Sequence, residues 1–494
     1  MKKNTCKGLT FADCELAILR MAVDKAEEKR GKRIVNSEDI RRILHIVEEY
    51  IKKKKLICYG GTAINNILPE EDQFYNKDIE IPDYDFFSKD ALHSAKELTD
   101  IYYKKGFTDV VARSGQHHGT YKVFVNYIPV ADITHLSKEI YNTIQKEAIS
   151  VDRILYAPPN FLRMSMYLEL SRPAGDISRW EKVLKRLTLL NKNYPITTSN
   201  CNNINFQREM HNKHLNNDEI FHTIKDTLIN QGVVFFGGFA ITLYSQYMPS
   251  HLKRKLETFS DFDVLSNNPL STVEIVKERL REKNIKEVTI VKHAQIGEII
   301  PEHYELKIGM DTVLYVYKPI GCHSYNVLMM QGKKVKIATI DTMLSFYLAF
   351  LYADQPYYNQ FIDRILCMSK FLFDVQQKNR LSQKGLLARF SINCYGHQPT
   401  IEELRAEKAN KYEELKDKKD SKEFEEWFLN YYPDYLKDQQ EKSDPKPQTP
   451  KNLKNLKNLK NPKNPKTKKT KTKAKAKSKA KTKKSTFLKI PFLK

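Results

Sequence analysis

The last tenth of this chain has no acidic side chain at all. Between Lys446 and Lys494 there are 19 lysines and neither Asp nor Glu, so of a formal net charge of +23 over 494 residues only +4 belongs to the rest. A nearly balanced body therefore carries a polycationic tail, and the two are read separately. Cysteine is also sparse. The seven (6, 14, 58, 201, 322, 367 and 394) are odd in number, far apart and without a C-x-x-C pair, which argues against a disulfide framework or a zinc site. Free thiols in a reducing, intracellular compartment are expected. No run approaches 18 apolar residues, so no membrane span is expected. Met1-Lys-Lys-Asn-Thr-Cys has no apolar stretch behind its lysines, so no secretory signal is expected either.

What is present is periodic apolar sequence through residues 1–400, which excludes a wholly disordered chain, and the length suggests about three folding units. Residues 13–30 read as a helix opened by Asp13 and closed at Gly31. A second starts at Ser37, with Ile40, Ile43, Leu44, Val47 and Ile51 on one face, and ends in Lys52–Lys55. That lysine run complements the helix dipole, with nucleic-acid contact as the alternative.

Next, Leu56-Ile-Cys-Tyr59 reads as a strand running into Gly60-Gly61 and a helical stretch, Thr62–Leu68, stopped by Pro69. Beyond a loop lies Ile81-Pro-Asp83-Tyr-Asp85-Phe-Phe. Val123–Ile133 reads as another strand, with Asp132 near its end. The order then returns: Val233-Val-Phe-Phe, Gly237-Gly238, a helical stretch, and Asp261-Phe-Asp263. Gly61 to Asp83 is 22 positions and Gly238 to Asp261 is 23. Thr312–Ile320 aligns without gaps on Thr120–Ile128, which puts Ser324 opposite Asp132, and Ser165-Met-Tyr-Leu168 is echoed by Ser345-Phe-Tyr-Leu348. An internal duplication explains this economically, with the third acid missing from the second copy.

Residues i and i+2 of a strand share a face, so Asp83 and Asp85 point together and an acid from a neighbouring strand can join them. Clustered carboxylates repel unless cations sit among them; hard divalent ions take such oxygens together with substrate phosphates. Glycines at a helix N-terminus let backbone amides approach phosphate. Each element alone is weak, but strand, Gly-Gly, helix, Asp-x-Asp strand and later Asp strand in this order is specific.

On these residues the sequence resembles the nucleotidyltransferase superfamily that includes DNA polymerase beta. Gly60-Gly61-Thr-Ala-Ile-Asn65, Asp83-Tyr-Asp85 and the repeat look like the catalytic subunit of the poly(A) polymerases of large DNA viruses, over about residues 40–385. The resemblance implies an α+β, duplicated nucleotidyltransferase fold. Its parts would be a catalytic domain (51–195) and a degenerate copy (196–400); outside the resemblance, composition and spacing give N-terminal helices (1–50), a charged helical arm (401–445) and a Lys-rich tail (446–494) too polar to fold alone. The resemblance also implies that Asp83, Asp85 and Asp132 hold Mg²⁺ or Mn²⁺. Gly60, Gly61 and Thr62 would meet the triphosphate of ATP, and the 3′ end of single-stranded RNA would attack it in the host cytoplasm or the virion. Pairing of identical chains and a separate processivity subunit both stay open. So do two other functions: another RNA nucleotidyltransferase (CCA-adding or oligonucleotide-synthesising), and a non-catalytic RNA-binding protein on the same scaffold. Arg179, Lys182 and Arg186 share a helix face that either contacts triphosphate or RNA or is simply solvated. His117-His118 reads as a loop. Tyr84 and Phe86 alternate away from the acids, toward the core. The tail suits sequence-independent polyanion binding, RNA included, with a localisation signal as the alternative.

Overall fold

The computed structural model describes residues 6, 8–76, 78–198, 201, 204–207, 217–250 and 261–433. The Lys-rich tail lies outside them. The described residues belong to one compact unit.

Two mixed sheets organise the unit. The first contains β1 (Ile57–Cys58), β2 (Tyr84–Ser88), β3 (Val110–Ser114), β4 (Thr120–Val125), β5 (Ile128–His135), β6 (Ile149–Val151) and β7 (Ile154–Tyr156), in the order β3-β4-β5-β2-β1-β7-β6. The second contains β8 (Val234–Phe236), β9 (Phe262–Leu265), β10 (Val288–His293), β11 (His303–Ile308), β12 (Asp311–Tyr317), β13 (His323–Met330) and β14 (Lys333–Ala338). Its order is β10-β11-β12-β9-β8-β14-β13, with β15 (Cys394–Tyr395) added beside β13. Position by position the two sheets have the same neighbours in the same directions: β2 is parallel to β5 and antiparallel to β1, as β9 is to β12 and β8. The helices that follow β7 and β14, Pro159–Leu170 and Ile340–Phe350, pack on each other, and these carry the Ser165–Leu168 and Ser345–Leu348 echo.

Several expectations need correction. The first helix runs Phe11–Val35, straight through Gly31. That glycine is not a stop signal: a Cβ there would press on the carbonyl of Ile79, so it admits the loop before β2. Val123–Ile133 is not one strand but the hairpin of β4 and β5. Asn126 and Tyr127 turn the chain with φ of 51° and 63°, the paired positive values of a two-residue turn. The ungapped alignment therefore matched β12 to β4, whereas β12 takes the place of β5. In parallel register Asp85 faces Asp132, and Asp263 faces Tyr315. Tyr315, not Ser324, stands where the third acid belongs; Ser324 is buried on β13 and bonded to Thr339 and Thr342. Alternating apolar strands give a period, and the period cannot say which of three successive strands is which.

The cysteines also differ from expectation. The fold brings Cys6 to Cys14, Cys201 to Cys367 and Cys322 to Cys394 as disulfides, leaving Cys58 a buried thiol. Sequence separations of 166 and 72 concealed the last two pairs.

The charged arm folds back. Helices Ile401–Leu415 and Lys422–Phe428 lead into β16 (Asn430–Tyr431), which pairs with β3 and covers the outer edge of the first sheet. Thr400 and Glu403 form a capping box at the start of the first of these helices. No helix among the described residues is long and apolar enough to cross a membrane.

Candidate active site

The first sheet's core explains why its acids meet. Helix Glu38–Lys54 buries Ile40, Ile43, Val47 and Ile51 against it, and Tyr102 fixes the register by donating to the Ile43 carbonyl at 2.8 Å. On β2, Tyr84 and Phe86 point into this core, 4% and 0% exposed, so Asp83 and Asp85 are turned to the opposite face. Asp132 comes to the same face from β5.

The glycine pair forms the first turn of helix Gly60–Ile67 rather than preceding it. Gly60 has φ +72°, and a Cβ on it would lie 2.5 Å from Asp85 Oδ2. Its missing side chain thus gives room to a carboxylate as well as exposing the helix N-terminus. Thr62 is buried, and its hydroxyl donates to the Asp83 carbonyl at 2.7 Å, tying the glycine helix to the acid strand. Tyr59, just ahead, donates its amide to the Asp85 carbonyl at 2.9 Å.

Charge is unbalanced here. Burial pushes the Asp85 carboxyl up to about 7, with Asp83 and Asp132 adding to the effect; Asp83 is raised too, by burial and then by Asp132. Lys122, directly across the ladder, pairs with Asp132. Among the described residues no three acidic, histidine or cysteine side chains already form a cage for a metal ion. The donor set nevertheless suits a divalent ion: three carboxylates on one face, one of them costly to ionise without a further cation.

The basic helix face is not merely solvated. On helix Trp180–Asn193, Arg186 is 9% exposed, donates to Tyr75 Oη at 2.6 Å and lies over the rings of Phe74 and Tyr75 at 5.0 and 5.5 Å. A Cβ on Gly61 would meet its guanidinium at 2.8 Å. Lys182 stands close enough to Asp83 and Glu80 for their charges to act on it, and Arg179 pairs with Glu169 at 3.1 Å while acting on Asp85. Cations thus gather at the N-terminus of the glycine helix, where the amides also attract anions. The Arg179, Lys182, Arg186 spacing was the sequence signal; Lys122, isolated in a strand, gave none.

Ionising Asp85 inside the fold must cost stability. Its folded value lies above the usual carboxylate range, so the folded state keeps a proton that the unfolded chain has released, and stability falls as pH rises from about 4 through 7. In chelator-treated protein Asp85→Asn should therefore gain on the wild type across that window, by on the order of 2 kcal/mol at pH 8, read as a Tm difference that grows with pH. A difference flat with pH would mean that Asp85 ionises there without cost.

The second lobe repeats the geometry without the opening. Gly237 has φ +83° and packs on Asp263, as Gly60 does on Asp85. Asp261 and Asp263 are 3% and 9% exposed, however, and line a cavity of only about 40 Å³ among Tyr317, Tyr347, Phe350 and Tyr358. Glu305 faces Tyr315 where Lys122 faces Asp132, and it is held by His293 and Thr312.

Residues 45–176 match the family model of the poly(A) polymerase catalytic subunit. The chain resembles the poly(A) polymerase catalytic subunits of large DNA viruses. One relative so named, from African swine fever virus, is 36% identical over 171 residues, 33% of this chain and 36% of the relative; another, from Acanthamoeba polyphaga mimivirus, is 31% identical over 185 residues, 36% of this chain and 30% of the relative. The match thus spans about a third of each relative's length. The fold is that of the crystal structure of Megavirus polyadenylate synthase, with a TM-score of 0.71 over 88% of this chain and 89% of that one at 21% identity. The family match takes in the glycine helix, β2 and β5, and so Gly60, Gly61, Asp83, Asp85 and Asp132.

Proposed function

We propose that this chain is a template-independent polynucleotide adenylyltransferase that extends the 3′ end of mRNA with adenylates from ATP. The observation that carries it is the juxtaposition of the Asp83, Asp85 and Asp132 face with the glycine helix and the Arg186–Lys182 cations. The amides of Gly60 and Gly61, with Arg186 and Lys182, bind and orient the triphosphate. The three aspartates would hold Mg²⁺ or Mn²⁺, which when bound lowers the pKa of the attacking hydroxyl and offsets charge on the leaving pyrophosphate. Lys122 keeps Asp132 neutralised until then. The 3′-hydroxyl attacks the α-phosphorus, the bond to pyrophosphate breaks, and positioning plus charge neutralisation supply most of the acceleration. The lysine tail is read as a salt-sensitive tether for RNA, and the second lobe as a degenerate, duplicated copy that braces or guides. Whether identical chains pair or a processivity subunit joins them is open to the same assay run at several concentrations.

Single-stranded RNA primer, one nucleoside triphosphate at a time and Mg²⁺ or Mn²⁺ test this. Long products with ATP alone are expected. Short defined additions from CTP and ATP would point to CCA addition, and no incorporation to a binding protein.

A further inference from the structure

The two lobes share a plan, so what one adds to it marks what that lobe does differently. In the first sheet β7 and β6 end the order as a hairpin with three residues in each strand. Their counterparts in the second sheet, β14 and β13, have six and eight, and β15 widens that corner by another strand. The enlarged corner is drawn wholly from sequence without an acid. Residues 312–340 and 375–401 contain no Asp or Glu, in a chain that has 60 of them.

One face of the corner is left open. In antiparallel register Val327 lies opposite Lys336 and Met329 opposite Lys334, so the four share a side of the sheet. Val327 and Met329 are 41% and 59% exposed, whereas Val335 and Ile337, which alternate with the lysines, are buried on the other side. Tyr325 and Tyr395 continue the open face, and the Lys336 ammonium lies over both rings, 5.5 and 5.2 Å from their centres. Lys333 donates to Asn230 Oδ1 at 3.2 Å and Lys336 to the Gly232 carbonyl at 2.9 Å. Among the described residues none of Lys333, Lys334 and Lys336 is paired with an acid.

That combination defines a ligand. Uncompensated lysines two residues apart, about 7 Å along a strand, suit a polyanion of repeating charge, and the tyrosines, valine and methionine give apolar ground for bases. A folded protein fits less well, because lysine is depleted from the cores of protein interfaces and Lys336 stands at the centre of this face. The face also adjoins the lobe that holds the acids. Ser391 donates to the Tyr325 carbonyl at 2.7 Å, and the ring of its neighbour Phe390 lies 5.9 Å from Trp180, which opens the helix carrying Lys182 and Arg186.

We propose that β13, β14 and β15 form a landing face for single-stranded RNA upstream of the 3′ end that the first lobe extends. The proposal rests on the polymerase reading above, but its test does not need catalysis. A primer carrying one 4-thiouridine, bound to the full chain without ATP or metal and irradiated, should crosslink to the Tyr325–Met330 segment from an upstream position and not from the 3′ terminus. Lys333→Gln with Lys334→Gln and Lys336→Gln should bind an RNA of about 40 nucleotides about ten-fold more weakly than wild type, and the slope of log affinity against log salt should flatten by about 2. Affinity for a primer of about 6 nucleotides, and the first addition to it, should stay at the wild-type level. The Lys-rich tail is present in both proteins, so the difference belongs to the hairpin. The exposed pair Lys333→Gln with Lys334→Gln makes the same comparison if loss of the half-buried Lys336 unfolds the corner. An unchanged salt slope would overturn the proposal, as would equal weakening with short and long RNA. Crosslinks from the terminal position alone would overturn it too. Failure of the polymerase reading would look different: wild type extending nothing with any nucleotide, while upstream crosslinks to the hairpin persist.

Discussion

Asp83→Asn with Asp85→Asn should lower primer extension by at least about 10³-fold, roughly 4 kcal/mol of transition-state stabilisation, while Asp261→Asn with Asp263→Asn should keep most of the wild-type rate. The asymmetry follows from the sheets. Both aspartate pairs follow a glycine helix and lie on a strand parallel to a second one, but only the first faces a further acid, Asp132; Asp263 faces Tyr315. The first site is open, with Lys182 and Arg186 beside it, whereas the second, with Arg364 in its wall, is closed by tyrosines and phenylalanines around about 40 Å³, room for a water or so. Steady-state rates with ATP and a short RNA, alongside Tm values to show that each protein is folded, make the comparison. Equal loss in the two double variants would make the lobes catalytic partners and remove the argument that Tyr315 marks a silent copy.

How much of this was readable beforehand depended on distance along the chain. The acid strand and the glycine helix were legible because each is local: period two exposes Asp83 and Asp85 on one face, and Gly-Gly between a strand and an apolar helical run has few other uses. The recurrence was legible from spacing. Its register was not, since β4, β11 and β12 all alternate apolar residues and only pairing tells which lies beside β2 or β9. Nor could composition show that the arm after Thr400 returns to cover β3, because highly charged helices read as solvated whatever their apolar minority docks on. Arg186 lay between these cases: its helix face was apparent, but burial against Gly61, Phe74 and Tyr75 needed a loop whose path is set by Asn65, which accepts from the amides of Phe74 and Tyr75 at 2.8 and 2.9 Å.

The glycines offer the second large effect, because one substitution should read differently in the two lobes. Gly60→Ala places a methyl 2.5 Å from Asp85 Oδ2 at a residue with φ +72°. The backbone alone costs about 1–2 kcal/mol for any residue with a Cβ, and the carboxylate must swing away from the face it shares with Asp83 and Asp132. Extension should fall about as far as in the aspartate variants, with a modest loss of Tm, because Asp85 borders an open site and has room to move. Gly237→Ala meets φ +83° and presses on the oxygen, Cβ and Cγ of Asp263, whose surroundings are closed by Phe236, Tyr317 and Phe350. There the carboxylate has nowhere to go, and a packed core resists displacement. Stability should drop by about 3–4 kcal/mol while the specific activity of the folded fraction stays near wild type. Chemical denaturation midpoints beside extension rates at a temperature where both proteins are folded would distinguish the two. If Gly60→Ala retained full activity, the carboxylate of Asp85 would not be the group that the reaction needs.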